Sequence, residues 1–534
     1  MIILGIHGGF TLHQHDAAAS LMIDGKLICS IEEERLYRQK NALGLLPINA
    51  IQKCLDEAKV KINDVNLIAL PGATYDDLEQ RTKEWITHYW GYCPQVLLVN
   101  HQTAHIASSF FQSGYEESMC LTMDAFGDNL SAALAIGSKK DGLKILETRP
   151  YTNSLGLFYA TMTHFIGFKN MDEFKVMGLA AYGKPNIDLS FFCKEVEDGY
   201  LSDFSYFRKN KEASHLEPFF SSKLVEKLGE GRKKNQPLNE HYINLAASTQ
   251  NTLERCAVSL VKYIHKLTGK RKICISGGVG LNCSMNKKIN ELDFIDEIFV
   301  QPASSDRGLS LGCALYASNL NNQKIKPIKN VFYGPSYSDG FIEEQIKISG
   351  INYKEIDDTA KIAAEHINSG KIIARYNGRS EFGPRSLGNR SILANPTLKN
   401  MKEEINKRIK FREEFRPFAP SVLNEKSKEI FNKSDLPFMT IATDVNDKWA
   451  KKLPSTTHVN NTARVQTVDE ENNKNFYDII SNFEKISDVP VVLNTSFNIR
   501  GQPIVETPLE AISTFAGNGI DSLFLGNFLI EKKN

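Results

Sequence analysis

The sequence predicts an α/β protein of more than one domain, on three observations. Strand-length apolar runs alternate with amphipathic helical stretches, glycine-rich turns close several of those runs, and 534 residues exceed what one core accommodates. The opening reads as a meander: an apolar run at 2–6, a glycine-rich turn, a second run at 17–23, Asp24-Gly25 as a hairpin turn, then 27–31. An amphipathic helix follows at 47–58 and a buried strand at 65–69. A second strand-helix-strand series occupies 96–136, and KICIS at 272–276 is a strand ending on Gly277-Gly278-Val279-Gly280. A short strand at 299–301 then leads to a helix at 308–317. The polar, Lys- and Asn-rich stretch 319–330 is the preferred domain boundary, dividing the chain into 1–325, an entry segment 326–360 and a second α/β domain at 361–534. That second domain takes its strands from 372–376, 491–493 and 523–525. Residues 190–242, charged and aromatic with weak periodicity, read as an insertion.

Composition narrows the function classes. Apolar residues at 42% and charged residues at 24% are those of a globular chain. Lys+Arg 64 against Asp+Glu 63 leaves +1, so no global field draws the chain to nucleic acid or an anionic membrane, and any anion site must be local. Nine cysteines without a CxxC pair argue against a zinc ribbon or a disulfide framework. With no basic leader and no run of 18 apolar residues, the expectation is a cytoplasmic protein without a membrane span.

His101 and His105, four residues apart in NHQTAH, share one face if the segment is helical, which is metal-ligand spacing; a pair of surface or core histidines is the plain alternative. The 119–123 strand ends in Asp124-Ala125-Phe126-Gly127-Asp128, and Asp306 stands in PASSDRG, so carboxylates are available to complete a set suited to Fe(II), Mn(II) or Zn(II). Turn chemistry for Asp124 and Asp128 and a helix cap for Asp306 explain the same residues without a metal. Gly277, Gly278 and Asn282 follow a strand and precede a helix, where backbone amides can approach a phosphate or purine, although a bare tight turn fits as well. Cys283 stands where GxGxxG needs its third glycine, and the GxxxxGK of 178–184 runs into Pro185, so neither a Rossmann site nor a P-loop is expected. In the second domain Arg385, Lys410, Arg416 and Arg464 sit in short glycine-, proline- and aromatic-rich motifs that suit a compact dianion. For 407–412 the competing reading is a solvated basic helix paired with Glu413 and Glu414. No GxSxG elbow or other activated nucleophile is present, which favours direct attack by an acceptor.

Taken in order, IEEERLYRQK at 31–40, NHQTAH at 100–105, SLGLFY at 154–159, EFKVMGLAAYGKP at 173–185, SGGVGLNCSMN at 276–286, QPASSDRGLSLG at 301–312, EFGPRSLGNRSILANP at 381–396, KFREEFRPFAPS at 410–421, HVNNTARVQTV at 458–468 and LNTSFNIRGQPIVETP at 493–508 resemble the NodU/CmcH carbamoyltransferase family across almost the whole chain. The resemblance implies an N-terminal actin-like, sugar-kinase-like ATPase domain and a C-terminal YrdC-like α/β domain. It implies an O-carbamoyltransferase that uses carbamoyl phosphate and ATP through a carbamoyl-adenylate. It places Fe(II), or another divalent metal, on His101, His105, Asp124 and Asp306. The nucleotide falls to Gly127, Asp128, Gly277, Gly278, Asn282 and Asp306, with Mg²⁺ left open. Carbamoyl phosphate falls to Arg385, Lys410, Arg416 and Arg464, with Lys410 and Arg416 stabilising the departing phosphate. His15, beside the first turn, is the candidate for proton handling, against a turn histidine with no role. Two departures stand out. Ala125 replaces the glycine usual after the metal aspartate and is expected to narrow the nucleotide pocket, and Asn460-Asn461 replace Asp-Gly, a change that Asn can absorb in left-handed backbone.

The acceptor is a hydroxyl on a sugar, another small molecule or a modified nucleotide; nucleic acid is disfavoured by the neutral charge, and a homodimer is left open. Two other readings use the same residues: a threonylcarbamoyl-tRNA-type transferase, and a metal-bound ATPase that senses carbamoyl phosphate without transfer.

Overall fold

The structure, a computed structural model, describes residues 1–10, 14–207 and 219–532. It is α/β throughout, as the alternation of runs predicts. The chain forms two compact units, Leu67–Pro327 and the pair of segments Met1–Asn66 and Ile328–Asn534. The break after Pro327 falls inside the polar stretch 319–330, but a division into 1–325 and 361–534 does not anticipate that the first 66 residues group with the second half.

The Leu67–Pro327 unit is built on a five-stranded sheet in the order Glu297–Val300, Lys272–Ser276, Glu117–Gly127, Leu130–Ser138, Gly142–Pro150. The last three are antiparallel, and the first two run parallel to Glu117–Gly127. A meander whose first strand carries parallel neighbours on its other edge is the strand order of an actin-like ATPase half, the arrangement expected for this part of the chain. Helix His101–Ser113 begins where the Asn100 side chain accepts from the amides of Gln102 and Thr103, and ends at Gly114. Its Ile106 and Phe110 pack on Cys120, Ala133, Ala135 and Cys274 of the sheet. Helix Leu309–Leu320 lies so close to it that a side chain at Gly312 would meet the Ala104 carbonyl at 1.9 Å. Within the expected insertion, a hairpin of Cys193–Val196 and Gly199–Ser202 and the helix Ser222–Leu228 are formed, and residues 208–218 lie outside the described ones.

In the other unit, Ile2–His7, Ala18–Ile23 and Lys26–Glu32 form the predicted antiparallel meander, with Asp24 (φ 47°) and Gly25 (φ 76°) both left-handed in its turn. An eight-stranded mixed sheet follows, in the order Lys354–Glu355, Phe528–Glu531, Ser522–Leu525, Ile373–Tyr376, Arg390–Ala394, Val491–Ser496, Ala419–Leu423, Gln466–Val468. Apolar clusters cover it, one around Val422, Phe476, Phe483 and Val491 and another around Ile372, Phe497, Ile512 and Leu523. This is the part for which the YrdC-like arrangement is expected.

Why 1–66 belongs here is visible in its charges. Glu32 and Arg35 are both 1% exposed, and the Arg35 guanidinium lies 3.1 Å from the Glu32 carboxylate while donating to the Gly383 carbonyl at 2.8 Å. Glu32 in turn accepts from the Gly383 amide at 2.7 Å. Arg38 reaches the carbonyls of Pro503 and Ile504, and Arg379 reaches that of Ile28. The motif at 31–40 is thus a five-residue helix, Glu33–Tyr37, whose charges point inward. Eight of the nine cysteines are buried and all are free. No helix among the described residues is long and apolar enough to cross a membrane.

Arg390 and Glu506, 3.8 Å apart and each completely buried, complete this ionic group. Replacing Arg390 by Leu leaves Glu506 buried without its nearest cation. Urea unfolding of the full chain is expected to show a loss of about 3–5 kcal/mol, as for other broken buried pairs.

Candidate metal centre and cationic site

Four of the predicted ligands converge. His101 and His105 stand one turn apart on the same helix face, Asp124 leaves the end of the long central strand, and Asp306 lies in the turn before helix Leu309–Leu320. Their ligand atoms all lie within 4.8 Å of one another. His101 Nε2 is 3.0 Å from Asp124 Oδ2 and 3.8 Å from Asp306 Oδ1; His105 Nε2 is 3.4 and 3.6 Å from the same two oxygens. His105 is wholly buried, and neither of its ring nitrogens makes a hydrogen bond. An imidazole so placed, flanked by two carboxylates, calls for a positive charge between them, either a ring proton or a metal ion. Burial opposes charge on His105, but Asp124 and Asp306 outweigh it and raise the ring to about 9. Burial likewise opposes the Asp124 carboxylate, and the two histidines hold it well below the usual range. The group fits a divalent metal: two imidazoles and two carboxylates suit Fe(II), Mn(II) or Zn(II).

The surrounding residues hold this geometry from the backbone. Asp128 spends one carboxylate oxygen on the amides of His101 (2.7 Å) and Ala73 (3.2 Å), and the other on the Thr74 hydroxyl (2.9 Å). It anchors the start of the histidine helix, a role that accounts for it without a nucleotide. Gly127 is where the His101 ring needs room: a Cβ there would lie 2.2 Å from the ring. The Gly278 amide donates to Asp124 Oδ1 at 3.2 Å, and Gly277, at φ +87°, approaches the Met123 carbonyl so closely that a Cβ would sit 2.3 Å from it. Gly278 thus holds the Asp124 side chain, and Gly277 permits the close approach to the strand end just before it. Asn282 caps helix Cys283–Asn290 and exchanges two hydrogen bonds with Gln250, which also accepts from Tyr159. The close approach at Ala125 comes from Gly156, whose Cβ would meet the Ala125 amide at 2.4 Å, and the Ser154 hydroxyl bridges the carbonyls of Asp124 and Ala125. Ser154, Gly156, Gln250 and Tyr159 were not among the expected site residues; only the SLGLFY motif pointed to three of them.

In the second unit Lys410 is 4% exposed, which removes the solvated-helix reading for it. It closes a π-helical turn, Asn406–Lys410, and Phe411 follows in left-handed backbone at φ +45°, a conformation that costs a bulky residue energy. That turn aims the ammonium inward. It donates to the Ser496 carbonyl and, at 3.0 and 2.9 Å, to the Asn498 carbonyl and side-chain oxygen. Burial first, then the charges of Arg412, Arg416 and Lys40, push it well below the usual lysine range. Arg412 stacks on Phe418 at 4.4 Å and is lowered by burial and by Arg416 and Arg464. Lys410, Arg416 and Arg464 therefore share one electropositive neighbourhood with Arg412, which lies in the same 410–421 motif, and with Ser496 and Asn498 of the 493–508 motif, which were not among the expected site residues. Arg416 lies 3.6 Å from Glu413. The 381–390 loop that carries Arg385 is organised by Glu381, which accepts from the amides of Leu387, Asn389 and Arg390. Asn461 is left-handed at φ +55°, as an Asn in place of glycine allows. His15 is placed by its own neighbours: Nδ1 lies 3.6 Å from the Asp16 carboxylate, and the His15 carbonyl accepts from His7 Nε2 at 3.1 Å.

Residues 91–315 match the family model described as Carbamoyltransferase N-terminus, and 364–532 match Carbamoyltransferase C-terminus. The chain is 36% identical to Nodulation protein NolNO of Sinorhizobium fredii, covering 100% of this chain and 83% of that protein. It is 37% identical to Nodulation protein NolO of Bradyrhizobium diazoefficiens, over 82% of this chain and 79% of the relative. Among solved structures, (R)-2-hydroxyglutaryl-CoA dehydratase component A of Acidaminococcus fermentans aligns with a TM-score of 0.36 and 15% identity, over 60% of this chain and 99% of that one.

The G127A variant is expected to displace the His101 ring and weaken metal binding by about 10–100-fold. Titration of Mn(II) or Zn(II) into the metal-stripped full chain, followed by calorimetry, checks this against the parent protein.

Proposed function

The chain belongs to the carbamoyltransferase family, and on that premise we propose that it moves a carbamoyl group from carbamoyl phosphate, through a carbamoyl-adenylate made with ATP, onto an acceptor hydroxyl. The observation that carries this reading is the buried Lys410, aimed by Ser496 and Asn498 and surrounded by the charges of Arg412 and Arg416. Like charges are held together in a buried place only at a cost, and a small dianion removes that cost. Carbamoyl phosphate is such a dianion. Lys410 and Arg416 would neutralise the phosphate as it leaves, Arg464 would fix its orientation, and Arg385 would close the site from the ordered 381–390 loop.

Water takes the place of the departing phosphate and leaves carbamate; a carbamate oxygen then attacks the α-phosphorus of ATP with pyrophosphate departing, and the acceptor hydroxyl attacks the carbamoyl carbon, giving up its proton as AMP leaves. The Leu67–Pro327 unit supports this second stage. Gly277, Gly278 and Asn282 border the place for the nucleotide, and His101, His105, Asp124 and Asp306 would hold a divalent metal, Fe(II) in the family's pattern. When bound, that metal would supply Lewis acidity toward phosphate or carbonyl oxygen. Asp128 keeps His101 in position by anchoring its backbone. His15 stands as the proposed proton carrier, with Asp16 beside it. The acceptor belongs to the class of hydroxyl-bearing small molecules, sugars or modified nucleotides.

Incubating the protein with carbamoyl phosphate and ATP is expected to yield AMP and pyrophosphate only when both are present; ADP and phosphate alone would point to a non-transferring ATPase instead. Lys410→Met is expected to lower kcat/KM for carbamoyl phosphate by about 10²–10³-fold, the scale for losing one fixed charge at a developing anion. His101→Ala should abolish transfer while carbamoyl-phosphate binding, followed by calorimetry, persists.

A further inference from the structure

Glu413 stands among the cations proposed to receive carbamoyl phosphate. Its Oε2 lies 3.6 Å from Arg416 Nη1 and its Oε1 lies 4.0 Å from Arg500 Nη2, so each carboxylate oxygen faces a different guanidinium. Both separations are those of an ion pair rather than of a hydrogen bond. Glu413 and Arg416 are partly buried, whereas the Arg500 side chain is 62% exposed and stands in water. Arg500 is nevertheless anchored: its Nη1 donates at 3.1 Å to the carbonyl of Phe411, the left-handed residue that follows Lys410. It also lies two residues beyond Asn498, which accepts from the Lys410 ammonium. The carboxylate and its exposed partner therefore both stand beside the turn that aims Lys410 inward.

The donor-site reading asks two different things of Arg416. Before the donor binds, its charge needs an offset. Burial first, and then Arg416 among other cations, push Lys410 and Arg412 below their usual ranges, and at Arg412 it is Glu413 that opposes the fall. Once the donor binds, the requirement reverses. A phosphate dianion on the Arg416 guanidinium comes close to the Glu413 carboxylate and repels it, and the two anions compete for the same cation. Arg500 provides an alternative partner, because it already faces the second oxygen of Glu413 and is itself fixed to a backbone carbonyl. Holding Glu413 on the exposed arginine leaves the partly buried one to the phosphate.

Resting on the reading that Arg416 binds the donor phosphate, we infer that Glu413 is an internal counter-ion, paired with Arg416 before the donor binds and handed to Arg500 when the dianion arrives. Calorimetric titration of the full chain with carbamoyl phosphate tests it. Glu413→Gln, which neither competes with the phosphate nor repels it, is expected to bind about 10-fold more tightly than the parent. Arg500→Gln, which leaves Glu413 only Arg416, should bind about 3–10-fold more weakly. In the Glu413→Gln background the same Arg500→Gln change should cost no more than about twofold, because the two residues act as a pair. A Glu413→Gln protein that binds no tighter than the parent overturns the inference, and so does an Arg500→Gln cost that persists undiminished in the double variant, which would make Arg500 a direct phosphate ligand. A parent whose affinity is unchanged by Arg416→Gln overturns the donor-site reading itself, and this inference with it.

Discussion

The Met1–Asn66 and Ile328–Asn534 unit depends on a buried set of opposite charges. Arg35 pairs with Glu32 and holds the Gly383 carbonyl, and Arg390 lies 3.6 Å over the Tyr376 ring while facing Glu506. Burial works against the Arg35 charge, yet Glu32, Glu506, Glu381 and Glu34 together hold it above the usual arginine range. Burial pushes the Glu506 carboxyl up, with Arg390 and Arg35 opposing. Charges placed this deep tolerate few other arrangements of the chain around them. They join the opening segment, the 381–390 loop and the strand that follows it into one body, and that loop carries part of the proposed donor site.

Polar burial is used the same way in the Leu67–Pro327 unit. Asp128 is consumed in fixing the start of the histidine helix, Gly278 steadies Asp124, and Gly127 leaves room for the His101 ring. The candidate ligand group is therefore supported by a shell of backbone contacts, so an added methyl at Gly127 acts through the position of the His101 ring. At Lys410 the device is different. A π-helical turn and a left-handed Phe411 turn a residue with helix-surface sequence context toward Ser496 and Asn498. Strain of this kind is retained where a site needs an inward-facing cation.

Much of this was legible in the order of residues. The alternation of apolar runs and glycine turns determined the α/β class, the strand at 272–276 coincides with Lys272–Ser276, and the helix at 47–58 differs by one residue from Ile48–Ala58. Four-residue spacing put His101 and His105 on one face because an α-helix repeats every 3.6 residues. Local pattern sufficed wherever the physics was local.

Tertiary structure decided the rest, because long-range partners leave no periodic trace. That the charged residues of 31–40 turn inward follows from Gly383, Pro503 and Ile504, hundreds of positions away. Whether Asp128 meets a ligand or the backbone depended on where Ala73 and His101 fall, and whether Lys410 meets water depended on Asn498.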